Sequence, residues 1–151
     1  MRHVLEHCLD PLQILKRLAG VLKDGGVLYV AVPDMMNPKG SLNKYWFRAV
    51  HTYYFSKPTL LSLTGKAGLE PLVVNTEDHE LWGFFRKKDC LDDFNEQGLG
   101  KDFFKKQVHV IRKHKKLNNI VALYVFLKNI ILKIIPNRIK LYMYRNIKPR
   151  F

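Results

Sequence analysis

Apolar residues recur with a helical period early in the chain. The positions i, i+3, i+4 and i+7 of one face are Leu15, Leu18, Ala19 and Leu22. Asp10 and Pro11 precede this pattern and are typical of a helix start, because the carboxylate can accept a backbone N–H and proline suits the first turn. Gly25 and Gly26 follow it and favour a chain reversal. The pattern therefore predicts one amphipathic helix.

A different pattern begins directly after the glycines. Residues 27–32 are continuously apolar and Pro33 ends the run, which predicts a central strand covered on both faces of a parallel sheet. A second helix is predicted between Ser56, a good cap, and Gly68. The stretches 72–75 and 81–86, separated by a polar run, predict two further strands. This order of helices and strands predicts an α/β fold.

Short motifs in these elements have a familiar order. They are Val4-Leu5-Glu6-His7, Asp10-Pro11, Leu22-Lys23-Asp24-Gly25-Gly26 and Val32-Pro33-Asp34. A second group is His51-Thr52-Tyr53-Tyr54-Phe55-Ser56, Thr59-Leu60 and Ala67-Gly68-Leu69. Together they resemble segments of the class I S-adenosylmethionine-dependent methyltransferases of the type 11/23-like kind, over about residues 2 to 88. Asp24 stands where the family usually has proline.

The resemblance implies a fold and a function. It implies the C-terminal half of a Rossmann-like methyltransferase sheet, with three layers α/β/α and a final antiparallel hairpin. It also implies methyl transfer from S-adenosylmethionine to a small-molecule, glycan or lipid-linked acceptor. The family's glycine-rich turn and ribose-binding acidic residue have no match in this sequence. We therefore expect roughly 80–100 preceding residues of strand and helix, judged from units of about 30 residues, and little activity from this stretch alone. The alternative is a non-catalytic module, derived from a methyltransferase, that binds a membrane surface or another protein.

His3, Glu6 and His7 are the first candidates for chemistry. The resemblance implies that His3 and Glu6 contact the cofactor, while His7 is a candidate general base. In some O-methyltransferases of this family, E-x-x-E-H carries a divalent metal, but here His3 replaces the first glutamate. Hard Mg²⁺ prefers oxygen ligands, so we expect no metal. A structural role remains open, with Glu6 accepting backbone N–H groups and His7 packing beside the cofactor pocket.

The loop after the predicted strand carries an aromatic cluster. In the family this loop often covers the acceptor, which implies substrate contacts for Tyr45, Trp46 and Tyr54. Ordinary core packing is the competing interpretation, because large aromatic side chains dominate cores. His51 can act as a second base near neutral pH, or as a hinge histidine that bonds the backbone.

Charge divides the chain. The formal net charge is +13, and all of it comes from residues 101–151, which hold 14 Lys and Arg but only Asp102 as an acid. We therefore predict two parts, residues 1–100 as the methyltransferase part and residues 101–151 as a basic, amphipathic helical tail. Cys8 and Cys90 are isolated, which favours a reducing, cytoplasmic setting.

The tail has a strongly apolar middle, residues 117–135, interrupted by Lys128. Its length approaches that of a bilayer core, but a lysine near the centre argues against a span. Peripheral contact with anionic membrane, on the inner face, is one interpretation. A helix that completes the core or forms a dimer interface is another. Basic charge alone is a weak footprint for nucleic acid, so we do not expect that partner.

Overall fold

The computed structural model describes residues 1–42, 46–88 and 101–135. Tyr45, one of the predicted substrate contacts, lies outside these ranges. A short 3₁₀ turn, Leu5–His7, comes first. The regular elements are α1 (Pro11–Val21), β1 (Val27–Pro33), α2 (Lys57–Lys66), β2 (Leu69–Glu77), β3 (Glu80–Lys87) and α3 (Lys101–Ile134). The fold is a mixture of helix and strand, as the patterns predict.

Helix α1 begins and ends where local chemistry directs it. The Asp10 carboxylate accepts the Gln13 N–H at 2.9 Å, and Pro11 is the first helical residue. The helix stops at Val21, so the predicted fourth apolar position, Leu22, is already extended. Gly25 then adopts φ +73°, a left-handed conformation that glycine enters at little cost, and the chain turns into β1.

The sheet has three strands in the order β1-β3-β2, and both pairings are antiparallel. The predicted central position of residues 27–32 is therefore wrong, since β1 lies at one end of this order. Its outer side carries one parallel bridge, from Arg2 to Ala31, in which the His3 N–H donates to the Ala31 carbonyl at 2.9 Å. The described strands do not form a clear Rossmann-like sheet, because the chain returns antiparallel to β1 in β3.

Strands β2 and β3 form a hairpin that is longer than the sequence suggests. The predicted polar linker of residues 76–80 shrinks to the two-residue turn Asp78-His79, with φ values of +46° and +69°. Two positive φ values match the tight turn that suits the twist of paired strands. Thr76 and Glu77 pair with β3 instead of forming a loop. Polar residues are compatible with this strand because β2 lies at the edge of the sheet.

One apolar core unites α1, α2 and the sheet. The α2 helix starts with a reciprocal cap in which Ser56 and Thr59 satisfy each other's groups. The core side chains are Leu5, Leu15, Ala19, Val30, Val32, Phe55, Leu60, Ala67, Leu69, Leu81 and Phe85. Because α1 and α2 both contribute to this core, the loops that follow β1 and precede α2 are held in place.

The chain forms two compact units, Met1–His114 and Lys115–Phe151. The predicted boundary at residue 100 stays a prediction. Helix α3 is 34 residues long and includes both the basic and the apolar stretches that the sequence predicts as helical. Within the described residues, no helix combines the length and the apolar character needed to cross a bilayer.

Candidate functional site

The 3₁₀ turn at Leu5–His7 points successive side chains in different directions. Glu6 is buried, with 1% of its surface exposed, whereas His7 is exposed. The Glu6 backbone carbonyl accepts the N–H groups of Thr52 at 2.9 Å and of Tyr53 at 3.2 Å. The Thr52 hydroxyl donates to the same carbonyl at 3.0 Å and to that of Cys8 at 2.8 Å. These bonds fix the segment before α2 against the turn.

That attachment brings two predicted bases together. The rings of His7 and His51 meet edge to face, with centroids 4.8 Å apart. The His7 Nδ1 atom lies 2.9 Å from the Val50 carbonyl, which can only accept, so Nδ1 carries a proton. The lone pair of neutral His7 is therefore on Nε2, which lies 3.8 Å from Glu6 Oε1.

The electrostatics of the pair differ from those of isolated imidazoles. Burial lowers the pKa of His51 below its usual 6.5, and repulsion from the protonated form of His7 lowers it further. The Glu6 carboxylate opposes this effect by raising the pKa of His51. The net direction is downward, so His51 is mostly neutral near pH 7 and can accept a proton.

His3 joins this cluster to a second carboxylate. Its Nδ1 lies 3.3 Å from Glu6 Oε1, and its Nε2 lies 2.9 Å from Glu80 Oε1. Arg2 donates two hydrogen bonds to the Glu80 carboxylate, at 2.8 and 3.1 Å. This contact lowers the pKa of Glu80. His3 adopts φ +50°, a backbone conformation that is strained for residues other than glycine. In this conformation its ring lies between the two carboxylates.

One atom of the cluster has no partner among the described residues. Glu6 Oε2 is buried and accepts no hydrogen bond there. Leaving a buried acceptor unsatisfied costs about 1–3 kcal/mol. The atom is therefore suited to accept a hydrogen bond from a hydroxyl or amino group that the described residues do not provide.

The same cluster has the donor set of a metal site. One ligand atom each from Glu6, His7 and His51 lies within 4.8 Å of the others. Imidazole and carboxylate together suit transition metals better than Mg²⁺. These distances fit a shared cation as well as a shared proton, and the expectation that no metal binds stays a prediction.

His3 also lines a cavity of about 660 Å³. Aromatic side chains form much of its wall, among them Tyr29, Trp46, Trp82 and Phe84. Trp46 is nearly buried, with 8% of its surface exposed. His7, His51 and Tyr54 do not line the cavity. The predicted site residues thus form two groups, and the contact between His3 and Glu6 connects them.

Tyr54 belongs to the histidine group. Its ring centroid lies 5.8 Å from that of His51 and 5.1 Å from that of Phe47. Its hydroxyl accepts the Arg48 N–H at 3.1 Å, so the phenol stabilises the loop before α2. A substrate contact by Tyr54 stays a prediction.

Two important contacts were not predicted from the sequence, that of Arg2 with Glu80 and that of Thr52 with the Glu6 carbonyl. Glu80 and Arg2 are separated by 78 positions, so no local pattern connects them. Thr52 has a plainer signal, since it stands next to His51 within the second family motif. Its place in the motif could have marked Thr52 as a functional residue. Its hydrogen-bond acceptor, the carbonyl of Glu6, could not be predicted, because that contact depends on tertiary structure.

Comparison with known families gives a clear result. Residues 1–74 match the family described as "Methyltransferase domain". The chain carries part of a class I S-adenosylmethionine-dependent methyltransferase domain. The resemblance noted in the sequence motifs is thereby confirmed. The matched stretch of the methyltransferase domain includes the Glu6–His7–His51 cluster, α1, β1 and α2, and ends within β2. No curated protein matches the chain.

Methyltransferases of this family generally use S-adenosylmethionine, so the described residues can be tested against that cofactor. The free Glu6 Oε2 atom suits a hydroxyl group. The glycine pair Gly25-Gly26, however, lies between a helix and the following strand, whereas a phosphate- or nucleoside-binding turn lies between a strand and the following helix. The described residues therefore do not form a complete site for this cofactor, and we derive no step through it.

Proposed function

We propose that this methyltransferase domain serves methyl transfer from S-adenosylmethionine to a small-molecule, glycan or lipid-linked acceptor, and that this chain supplies the acceptor side of the site. The observation that carries the proposal is the contact of His51 with His7 beside the buried Glu6 carboxylate. A hydroxyl or amino acceptor must lose a proton when it gains a methyl group, and this cluster offers a proton acceptor.

Within the proposal, His51 removes that proton. Its lowered pKa keeps the imidazole neutral near pH 7, which a general base requires. His7 is a positioning residue, because its Nδ1–H bond to Val50 fixes the ring against His51. Glu6 stabilises positive charge that develops on either imidazole. In this proposal His51 accepts the proton, His7 positions His51, and Glu6 stabilises the resulting positive charge.

Because His51 does not line the cavity beside His3, only the non-reacting part of the acceptor is proposed to lie there. Its reacting hydroxyl or amino group is proposed to extend past the contact between His3 and Glu6 to His51. The cavity volume of about 660 Å³ is within the range of ordinary ligand sites. The walls offer flat aromatic surfaces from Trp46 and Trp82, which suit the apolar face of a ring. Small aromatic molecules and sugars both present such a face, so both acceptor classes stay within the proposal.

A finer view of the fold belongs to the same proposal. We take the three strands as the C-terminal part of a Rossmann-like, three-layer methyltransferase sheet. The parallel bridge between Arg2 and Ala31 supports this view, since it marks a parallel neighbour on the outer side of β1. The antiparallel return of β3 also agrees with the hairpin that closes the family's sheets.

Calorimetry provides the first test. The chain of residues 1–151 is expected to bind S-adenosylmethionine weakly or not at all, because the described residues lack the strand-to-helix glycine turn. A dissociation constant in the micromolar range, worth about −8 kcal/mol, would contradict this view of the site. Transfer is then measured with the chain fused behind the glycine-turn half of a class I methyltransferase, using labelled cofactor and panels of phenols, sugars and lipid-linked sugars.

His51→Asn in that fusion is expected to lower the transfer rate about 10²–10⁴-fold, the usual contribution of a general base. His109→Asn, on the exposed surface of α3, is the matched control and is expected to have no effect. An unchanged rate in His51→Asn would remove the proton-acceptor role. Activity that a chelator abolishes would assign the cluster to a metal instead.

The second candidate function is a non-catalytic module derived from a methyltransferase. The observation that favours it is that the described residues contain no glycine-rich turn between a strand and the following helix, and so form no complete cofactor site. Failure of the fusion to methylate any acceptor, together with preserved folding of the chain, would support this candidate over the enzyme.

A further inference from the structure

The second half of helix α3 exposes an unusual amount of apolar surface. Between residues 117 and 134, eleven large apolar side chains are each 40 to 75% exposed. They are Leu117, Ile120, Val121, Leu123, Tyr124, Val125, Phe126, Leu127, Ile130, Ile131 and Ile134. A continuous apolar surface of this kind marks an interaction site, since water-exposed patches of similar extent are rare on monomeric proteins.

The apolar side chains occupy a wide sector of the helix. At 100° per residue, ten of the eleven cover about 220° of the circumference, from Ile130 through Leu127 and Leu117 to Val125. Phe126 lies outside this arc, on the side of Lys133. Asn129 and Lys133 lie on the opposite, narrower sector. Lys128 alone interrupts the apolar side. The segment is therefore amphipathic, with an apolar sector far wider than its polar one.

The charge around this segment has a single sign. Residues 115–151 contain nine Lys and Arg and no Asp or Glu. Lys115 and Lys116 precede the apolar stretch directly, and both belong to the helix. A partner that covers the apolar sector must therefore also tolerate or attract a dense positive charge.

We propose that residues 117–134 lie in the surface of an anionic phospholipid membrane, with the apolar sector among the acyl chains and the lysines among the headgroups. Charge complementarity selects this partner, because anionic headgroups attract each basic residue near them. Lys128 is compatible with this position, since a lysine stem can reach from an apolar surface to the headgroups. The helix lies on the membrane and does not cross it.

A second copy of the chain fits the segment less well. The segment does contain the alternating three- and four-residue spacing of a coiled coil. The residues with this spacing are Leu117, Ile120, Tyr124, Leu127, Ile131 and Ile134. Two such helices would bring lysines together without one acidic residue in the segment to pair with them. Leu123, Val125 and Ile130 would also remain outside a two-stranded seam, whereas a lipid surface covers them.

Vesicle binding of the full chain tests the proposal. The probes are vesicles of phosphatidylcholine alone and vesicles of phosphatidylcholine with about 30% phosphatidylglycerol, an anionic lipid. Co-sedimentation is expected to show binding to the anionic vesicles and at least about tenfold weaker binding to the neutral ones. High salt is expected to reduce the anionic binding by a similar factor, because it screens surface charge.

Two sets of variants separate the apolar and the electrostatic contributions. Leu127→Ser with Ile131→Ser is expected to weaken binding more than about 100-fold, since two exposed anchors are lost. Lys115→Gln with Lys116→Gln is expected to weaken it about 25-fold. Asn129→Ser, on the polar sector, is the matched control and is expected to bind as the parent does.

Each other result contradicts the proposal. Equal binding to neutral and anionic vesicles would remove the role of charge. An absence of vesicle binding with an intact helical circular-dichroism signal would remove the membrane altogether. A lipid-free dimer in sedimentation analysis that the Leu127 and Ile131 substitutions dissociate would assign the apolar sector to a second copy. If those substitutions reduce helicity, the lysine pair alone decides, since it leaves the apolar sector unchanged.

Discussion

The unit Met1–His114, called the sheet unit below, has a core with the same kinds of apolar side chain as the second half of α3, but in the opposite environment. Leu15 and Phe85 are 0% exposed, whereas Leu127 and Ile131 are 49% and 55% exposed. The difference comes from chain reversal. Helices α1 and α2 have 11 and 10 residues and are followed by turns that bring strands onto them, whereas α3 continues for 34 residues. Apolar content alone therefore does not make a core.

The comparison also explains how the short helices are stable. A helix of about ten residues is marginal by itself in water. Asp10 and the Ser56–Thr59 pair cap the two short helices, and Leu15 and Leu60 anchor them in the core. Caps and burial thus act together in the sheet unit.

The sharpest test substitutes one apolar side chain in each region. Phe85→Ala is expected to lower the free energy of unfolding by about 3–5 kcal/mol, because it removes a fully buried ring and leaves a cavity. Leu127→Ala on α3 is expected to change it by less than about 0.5 kcal/mol. Urea denaturation followed by circular dichroism measures both. A comparable loss from Leu127→Ala would show that the helix is part of the core after all.

Glycine positions offer a pair with opposite signs. A Cβ added at Gly83 would approach the Val73 carbonyl oxygen and a ring carbon of Phe85 to 2.9 Å, so Gly83→Ala is expected to cost about 1–3 kcal/mol. Gly20 lies in α1 with open space around its Cα, so Gly20→Ala is expected to stabilise by up to about 1 kcal/mol. Thermal unfolding of the two variants measures the contrast. Similar effects from both would mean that β2 and β3 are less tightly joined than described.

Histidine titration examines the candidate site without an activity assay. The NMR midpoint of His51 is expected below 6.5, because burial and His7 both disfavour its charged form. His7→Gln is expected to raise the pKa of His51, since a like charge is removed. Glu6→Gln is expected to lower it further, since a favourable negative charge is lost. A midpoint at or above 6.5 in the parent protein would contradict the partial burial of His51 and its contact with His7.

The smallest expected effect concerns the exposed margin of the sheet unit. Arg2 lowers the pKa of Glu80 below 4.5, so this contact stabilises the fold above that pH and is lost as pH falls through the lowered value. Because the Arg2 side chain is largely exposed and solvent screens its charge, the effect is expected to be small. Glu80→Gln is expected to flatten the pH dependence of unfolding in the acidic range below pH 4.5. Asp102→Asn on α3, the control, should leave that dependence unchanged.

Local chemistry explains which elements were predicted well. The cap at Asp10, the glycine turn at Gly25 and the apolar run of β1 depend on neighbouring residues, and the structure shows each one. The place of β1 in the sheet was predicted wrongly, because a continuous apolar run indicates burial but not which strand lies on either side. Strand order depends on β3, which pairs with β1 from 53 positions further along the chain.

The candidate site shows the same division. The family motifs indicated Glu6, His7 and His51 as functional residues, and the structure brings these three together. Their mutual geometry could not be predicted, because it depends on Thr52 bonding the Glu6 carbonyl across 46 positions. The link from His3 to Glu80 depends on the sheet register in the same way.

The two-residue turn at Asp78-His79 has a consequence for the order of folding. The hairpin of β2 and β3 closes locally, and hairpins of this kind form in about 1–10 μs. Strand β1 must wait for β3, although a ribosome makes β1 some fifty residues earlier, at about 5–20 residues per second. The apolar sequence Val27–Pro33 therefore stays unpaired for seconds during synthesis, an interval in which a chaperone has most reason to bind it.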